Sequence, residues 1–335
     1  MNLLLVLLFF TTKTLCNDAP LIQMGTKGQL QGQIITVLGV NMTEYLGVPY
    51  AHPPTHFYRF RPPCEFQNDH YWNNTYYAVH PANGCPQNIR KMGFSPYDDS
   101  NPKITNESCL KFNMWVPKSN DGRKMPVIVF FHGGSWTVRT ASADKFNGSV
   151  LALKTKSIVI TANFRLGFFG FAYLNNSDDI RGNMGLLDQQ AMLKWINKHI
   201  EKFKGDKDSV TIFGTSSGAA SVAAHLFSDG SKPYFHRGIM SSGTITQNML
   251  TVSASIADAN TRSVAKKVNC TSDKNSSITT DDDIAKCLKD KTVEELLEAT
   301  KGVMAKGQMP TPFPFMPINN DTVFFNGSFK EMFKK

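Results

Sequence analysis

"TIFGTSSGAAS", residues 211–221, reads as an apolar strand that turns at once into an Ala-rich helix, with Gly-x-Ser-x-Gly at the turn. A nucleophile elbow has this spacing: a serine stands on a strained strand-to-helix turn, and glycines flank it where strand and helix approach closely. Ser216 is therefore a candidate nucleophile, with Gly214 and Gly218 as the flanking glycines. A serine hydroxyl attacks nothing at neutral pH without a base to take its proton. Its partners have to be sought elsewhere in the chain.

Upstream of this turn, "MPVIVFFHGG" (125–134), "KSIVITANFR" (156–165) and "DSVTIFG" (208–214) are continuous apolar runs bounded by breakers. Strands buried on both faces of a parallel sheet look like this. "SADKFNGSVLALKTK" (142–156) can supply a crossover helix between the first two. From Asp188, the residues Met192, Ile196, His199, Ile200 and Phe203 fall on one helical face, with Asp188 available as the N-cap. "HRGIMSSG" (236–243) predicts a further strand after the elbow helix. This alternation argues a doubly wound, mostly parallel α/β sheet with right-handed crossovers. Residues 53–106 lack a steady period and predict loops and short strands, whereas "DIAKCLKDKTVEELLEAT" (283–300) is helix-like. Prolines break 307–325. Straight after the 125–131 run, "FFHGGSW" (130–136) is a glycine-rich turn able to aim backbone N–H groups at a developing oxyanion.

Of the 335 residues, 41% are hydrophobic and 19% charged, enough for one large globular domain. The net charge of +9 comes from scattered lysines, which reads as a solvated basic surface and not a nucleic-acid site. "MNLLLVLLFFTTKTLC" (1–16) predicts a secretory signal, because its apolar run is too short to span a bilayer. No later stretch predicts a membrane anchor. Nine Asn-x-Ser/Thr triplets, at Asn41, Asn73, Asn106, Asn147, Asn175, Asn269, Asn275, Asn320 and Asn326, are candidate glycan acceptors. Residues 17–335 then hold five cysteines, so at most two disulfides and one spare thiol; the sequence-local pairs are Cys85–Cys109 and Cys270–Cys287. No metal site is suggested by any CxxC or His-rich spacing, and no cofactor is expected.

Seven stretches, in order, resemble the signatures of the type-B carboxylesterase and cholinesterase family of α/β-hydrolases: "YLGVPYAHPP" (45–54), "RFRPP" (59–63), "FFHGGSW", "NFRLGFFGF" (163–171), "GNMGLLDQQ" (182–190), "VTIFGTSSGAAS" (210–221) and "IMSSG" (239–243). "GCPQN" and "NESCLKFN" resemble the family's first disulfide loop, implying Cys85–Cys109, and "VNC…AKCLKDK" its second, implying Cys270–Cys287. The resemblance covers residues 17–335 and implies a secreted serine hydrolase of small-molecule carboxylic esters working through an acyl-enzyme. Ser216 would be the nucleophile, the backbone N–H groups of Gly134, Ser135 and Ser217 the oxyanion hole, and His132 structural. Phe313 and Phe315 would help to line an acyl pocket. The family usually has Glu where Thr215 stands and a third glycine where Ser135 stands. Its choline-binding members carry a tryptophan in the first disulfide loop, where this chain has only Phe94 and Tyr97 as aromatics. In the family the triad acid and histidine follow a motif like the one at 315–335, so both are expected to be missing from a chain truncated there. A catalytically silent binding or adhesion module of the same fold is the alternative reading.

Overall fold

The computed structural model describes residues 19–335 apart from 68–69, 90, 92, 120–121, 248–249, 272–279, 305–312, 320, 326 and 333–335. The expected leader, 1–16, lies outside the described residues. The strands are β1 (Leu21–Gln23), β2 (Lys27–Gln31), β3 (Gln33–Val37), β4 (Val40–Pro49), β5 (His70–Tyr77), β6 (Lys111–Pro117), β7 (Met125–Phe131), β8 (Ile158–Ala162), β9 (Gly205–Thr215) and β10 (Arg237–Ser241). Seven of them form one sheet in the order β10-β9-β7-β8-β6-β4-β3. The apolar runs expected as buried strands are β7, β8 and β9, which with β10 make its parallel half. All five residues of β8 are buried, as a run without alternation requires. The other half, β6, β4 and β3, is antiparallel, and β1, β2 and β5 form a separate small sheet.

The α-helices are α1 (Ser95–Asp98), α2 (Ser149–Thr155), α3 (Gly167–Phe171), α4 (Met184–His199), α5 (Ser217–Phe227), α6 (Ala254–Lys267), α7 (Asp281–Asp290), α8 (Val293–Thr300) and α9 (Phe329–Met332). The crossover between β7 and β8 is α2, inside the segment expected for it. Asp188 is not an N-cap: α4 begins four residues earlier, after Asn183 at φ 55°. The Asn183 side chain is committed to the backbone of Ile318, accepting from its N–H and donating to its C=O. Asp188 is instead buried in the body of α4, where Arg165 holds it. The helix-like stretch 283–300 is two helices, because Lys291 is extended and Thr292 starts α8 with a capping box to Glu295. Disulfides join Cys85 to Cys109 and Cys270 to Cys287, and Cys64 keeps a free thiol. Among the described residues no helix is long and apolar enough to cross a membrane.

Candidate active site

The strand β9 ends at Thr215 and α5 begins at Ser217, so the whole reversal falls on Ser216. Its backbone sits at φ 56°, ψ −123°, a region that a residue with a Cβ occupies at a cost of about 1–3 kcal/mol. The Ser216 N–H donates to Ser241 O at 2.9 Å, tying the turn to the end of β10. Ser216 itself is exposed, whereas Ser217 to His225 are buried. The Ala-rich face of α5 makes that burial possible by letting the helix lie close on the sheet. At Gly218 an added Cβ would stand 2.1 Å from Phe131 O. Gly218→Ala is expected to lower stability by about 1–3 kcal/mol, since the displaced neighbour is backbone and not a flexible side chain. An unchanged urea midpoint would contradict this.

The glycine-rich turn after β7 packs on the elbow. A Cβ on Gly133 would lie 2.6 Å from Thr215 O and 3.2 Å from Ser216 Cβ, and the Trp136 N–H donates to Ser217 Oγ at 3.4 Å. Gly134, Ser135 and Trp136 take φ values of 119°, 54° and 54° in succession. Successive residues turned in this way form a concavity of N–H groups suited to an anion. The N–H groups of Gly134, Ser135 and Ser217 donate to no described residue. Three unspent donors thus stand in and beside the loop that touches the exposed serine.

Behind the turn runs a buried polar chain that the sequence did not signal. Trp136 Nε1–H and Gln189 Nε2–H both donate to Ser221 Oγ, at 3.0 and 3.1 Å, and Ser221 donates to Ser217 O. His225 lies between Gln189 Oε1 at 3.1 Å and Ser231 Oγ at 2.8 Å. Burial pulls its pKa down to about 3, so it is neutral. His132 is buried against Phe164, with Nδ1 2.8 Å from Gly133 O, and burial takes its pKa down to about 4 despite that hydrogen bond. Both are structural histidines. Among the described residues the Ser216 hydroxyl has no hydrogen-bonded base. Phe315, a candidate for an acyl pocket, is buried against Phe168 at 5.1 Å, and half-buried Phe313 packs on the same core. In the first disulfide loop Phe94 is exposed. Among the described residues no group of His, Cys, Asp or Glu side chains could hold a metal ion.

A model of the carboxylesterase family matches residues 18–335. The chain is 35% identical over 302 residues to an acetylcholinesterase of Danio rerio, covering 89% of this chain and 46% of that protein. It is 33% identical over 323 residues to an acetylcholinesterase of Electrophorus electricus, covering 95% and 49%. With a cholinesterase of Mus musculus the identity is 35% over 280 residues, 83% of this chain and 45% of the other. The chain spans about half the length of these curated relatives. A match over nearly all of 18–335, on a sheet whose parallel half ends in a serine elbow, has one consequence: the chain belongs to the carboxylesterase family, and its fold is that of an α/β-hydrolase.

Proposed function

We propose that this chain carries the nucleophile and the oxyanion cradle of a secreted serine hydrolase of small-molecule carboxylic esters. The observation behind this is the exposed, strained Ser216 facing a loop with unspent N–H donors. Ser216 Oγ attacks the ester carbonyl and expels the alcohol, leaving an acyl-enzyme that water then hydrolyses. The N–H groups of Gly134, Ser135 and Ser217 take up the oxyanion of the tetrahedral intermediate, each such donor typically worth about 3 kcal/mol in the transition state. In this reading the base and its acid come from residues outside the described part of the protein. Residues 1–16 act as the secretory signal and 17–335 as the esterase domain. Glycosylation fits: of the nine sequon asparagines, Asn41, Asn73, Asn106, Asn147, Asn175 and Asn269 are described and every one is exposed, while Asn275, Asn320 and Asn326 lie outside the described residues.

Thr215, where the family usually places Glu, favours the second reading, a silent binding module. A fluorophosphonate probe decides between them. Applied to the whole secreted protein, which in this reading supplies the base and acid, the probe should label stoichiometrically, and labelling should be lost in Ser216→Ala. Absence of labelling on that folded whole protein would overturn the nucleophile reading and leave the binding module.

A further inference from the structure

One concavity lies away from the elbow. Ser216 follows the C-terminal end of β9, whereas this groove is lined by Lys204, which precedes β9, and by Met125, the first residue of β7. It therefore opens at the opposite end of the parallel strands. Its volume is about 950 Å³, at the upper end of the roughly 300–1,000 Å³ of small-molecule sites. The floor follows from strand register. Ile34 pairs with Thr43 and Thr43 with Val116, so β3, β4 and β6 present these three side chains side by side on one face. Tyr45, two residues on from Thr43, shares that face and stands edge-on to Phe203 at 5.2 Å.

Among the described residues the charges lining this groove have one sign: Lys118, Lys202 and Lys204 line it, and no Asp or Glu does. Lys202 Nζ is braced on Gln23 O at 3.0 Å. Lys118 and Lys204 make no ion pair with a described carboxylate, although nearby Lys124 and Lys207 are paired with Glu201 and Asp208. Two ammonium groups are thus left uncommitted beside an apolar floor. Burial raises the Tyr45 phenol well above its usual pKa, so it remains a hydrogen-bond donor, and it makes no hydrogen bond to a described residue. An apolar floor of this volume with uncommitted cations beside it is complementary to a molecule with an apolar tail and one anionic head. We propose that this groove between the β3–β4–β6 face and the segment 202–204 binds a long-chain carboxylate, a free fatty acid.

Fluorescence titration of the secreted full-length chain with dansylundecanoic acid tests this. Asn41, on the rim, heads a glycan triplet, so the titration is run on the wild type and on Asn41→Gln. Saturable binding displaced by laurate, but not by dodecyltrimethylammonium or dodecanol, is the expected result in Asn41→Gln at least. Lys118→Glu with Lys204→Glu should weaken it about tenfold without moving the urea midpoint, because both lysines are exposed. Ile34→Trp, on an edge strand and 36% exposed, should fill the groove and abolish binding. Prior reaction with a fluorophosphonate should change nothing. The proposal falls if neither chain binds saturably or if the three competitors act alike. It falls too if both the charge-reversed and the filled variants bind as the wild type, or if the fluorophosphonate blocks binding, which would place the probe at Ser216.

Discussion

Asp188→Ala is expected to cost the fold about 3–5 kcal/mol, read as a fall in the urea midpoint with little change in slope. The carboxylate is fully buried and accepts from the Arg165 N–H at 3.0 Å, Nε at 2.8 Å and Nη2 at 2.7 Å. Arg165 is itself 2% exposed, and its remaining nitrogen Nη1 donates to Arg61 O at 2.7 Å. Removing the carboxylate leaves a guanidinium in the core with no counter-charge and three donors unspent. The large effect is that exposed penalty, and not the net worth of the pair, whose formation also had to offset two desolvations. The double variant Arg165→Met with Asp188→Leu should therefore be less destabilised than Asp188→Ala alone. A single-variant loss below about 1 kcal/mol, the range of an exposed ion pair, would refute the buried-pair argument.

The same residue shows where sequence reasoning reaches its limit. Asp188 stands just before an amphipathic run, and an acid at that place is equally compatible with capping the first turn or with pairing across the core. Only the fold chooses, through Arg165, which is 23 residues away in sequence. Continuous apolar strands are a different matter. β7, β8 and β9 were legible as unbroken apolar runs between breakers, although only β8 is buried on both faces and β7 and β9 alternate buried with partly exposed residues; the elbow was legible because strand, turn and helix signals coincide at Ser216. Pairing partners were not legible for β1, β2 and β5. Their hydrogen bonds link Lys27–Gln31 to His70–Tyr77 across a stretch with no period. The candidate oxyanion loop was visible as glycines, but its unspent N–H groups depend on backbone angles at Ser135 and Trp136 that a non-glycine residue does not advertise. The T-x-x-E signature at Thr292 was in the sequence. It marks a helix start that periodicity alone had smoothed over.

Acidification from pH 7 to pH 5 is expected to remove about 3–4 kcal/mol of stability through His132 and His225 together. Both are buried and held neutral, with pKa values of about 4 and about 3, the first cause in each case being desolvation of the imidazolium. In the unfolded chain each titrates near 6.5. Below that value the unfolded state binds a proton that the folded state refuses. Stability therefore falls as pH drops through about 6.5, and continues to fall until the folded pKa values are reached. Asp321 opposes this at the acid end, because burial raises its pKa and protonation relieves a cost that the folded state carries at neutral pH. The depressed carboxyl of Asp179 loses stability as well, but only as pH falls through the carboxylate range, below the histidine window. Urea midpoints at pH 7, 6 and 5 measure the slope, and His225→Gln or His132→Asn should each remove about half of it. A flat profile in the wild type would mean that neither ring is buried as a neutral group. The two sites also differ in what protonation disturbs. His225 supports Gln189, which in turn supports Ser221 beneath the elbow helix, whereas His132 is bonded to the carbonyl of Gly133 in the turn that touches Ser216.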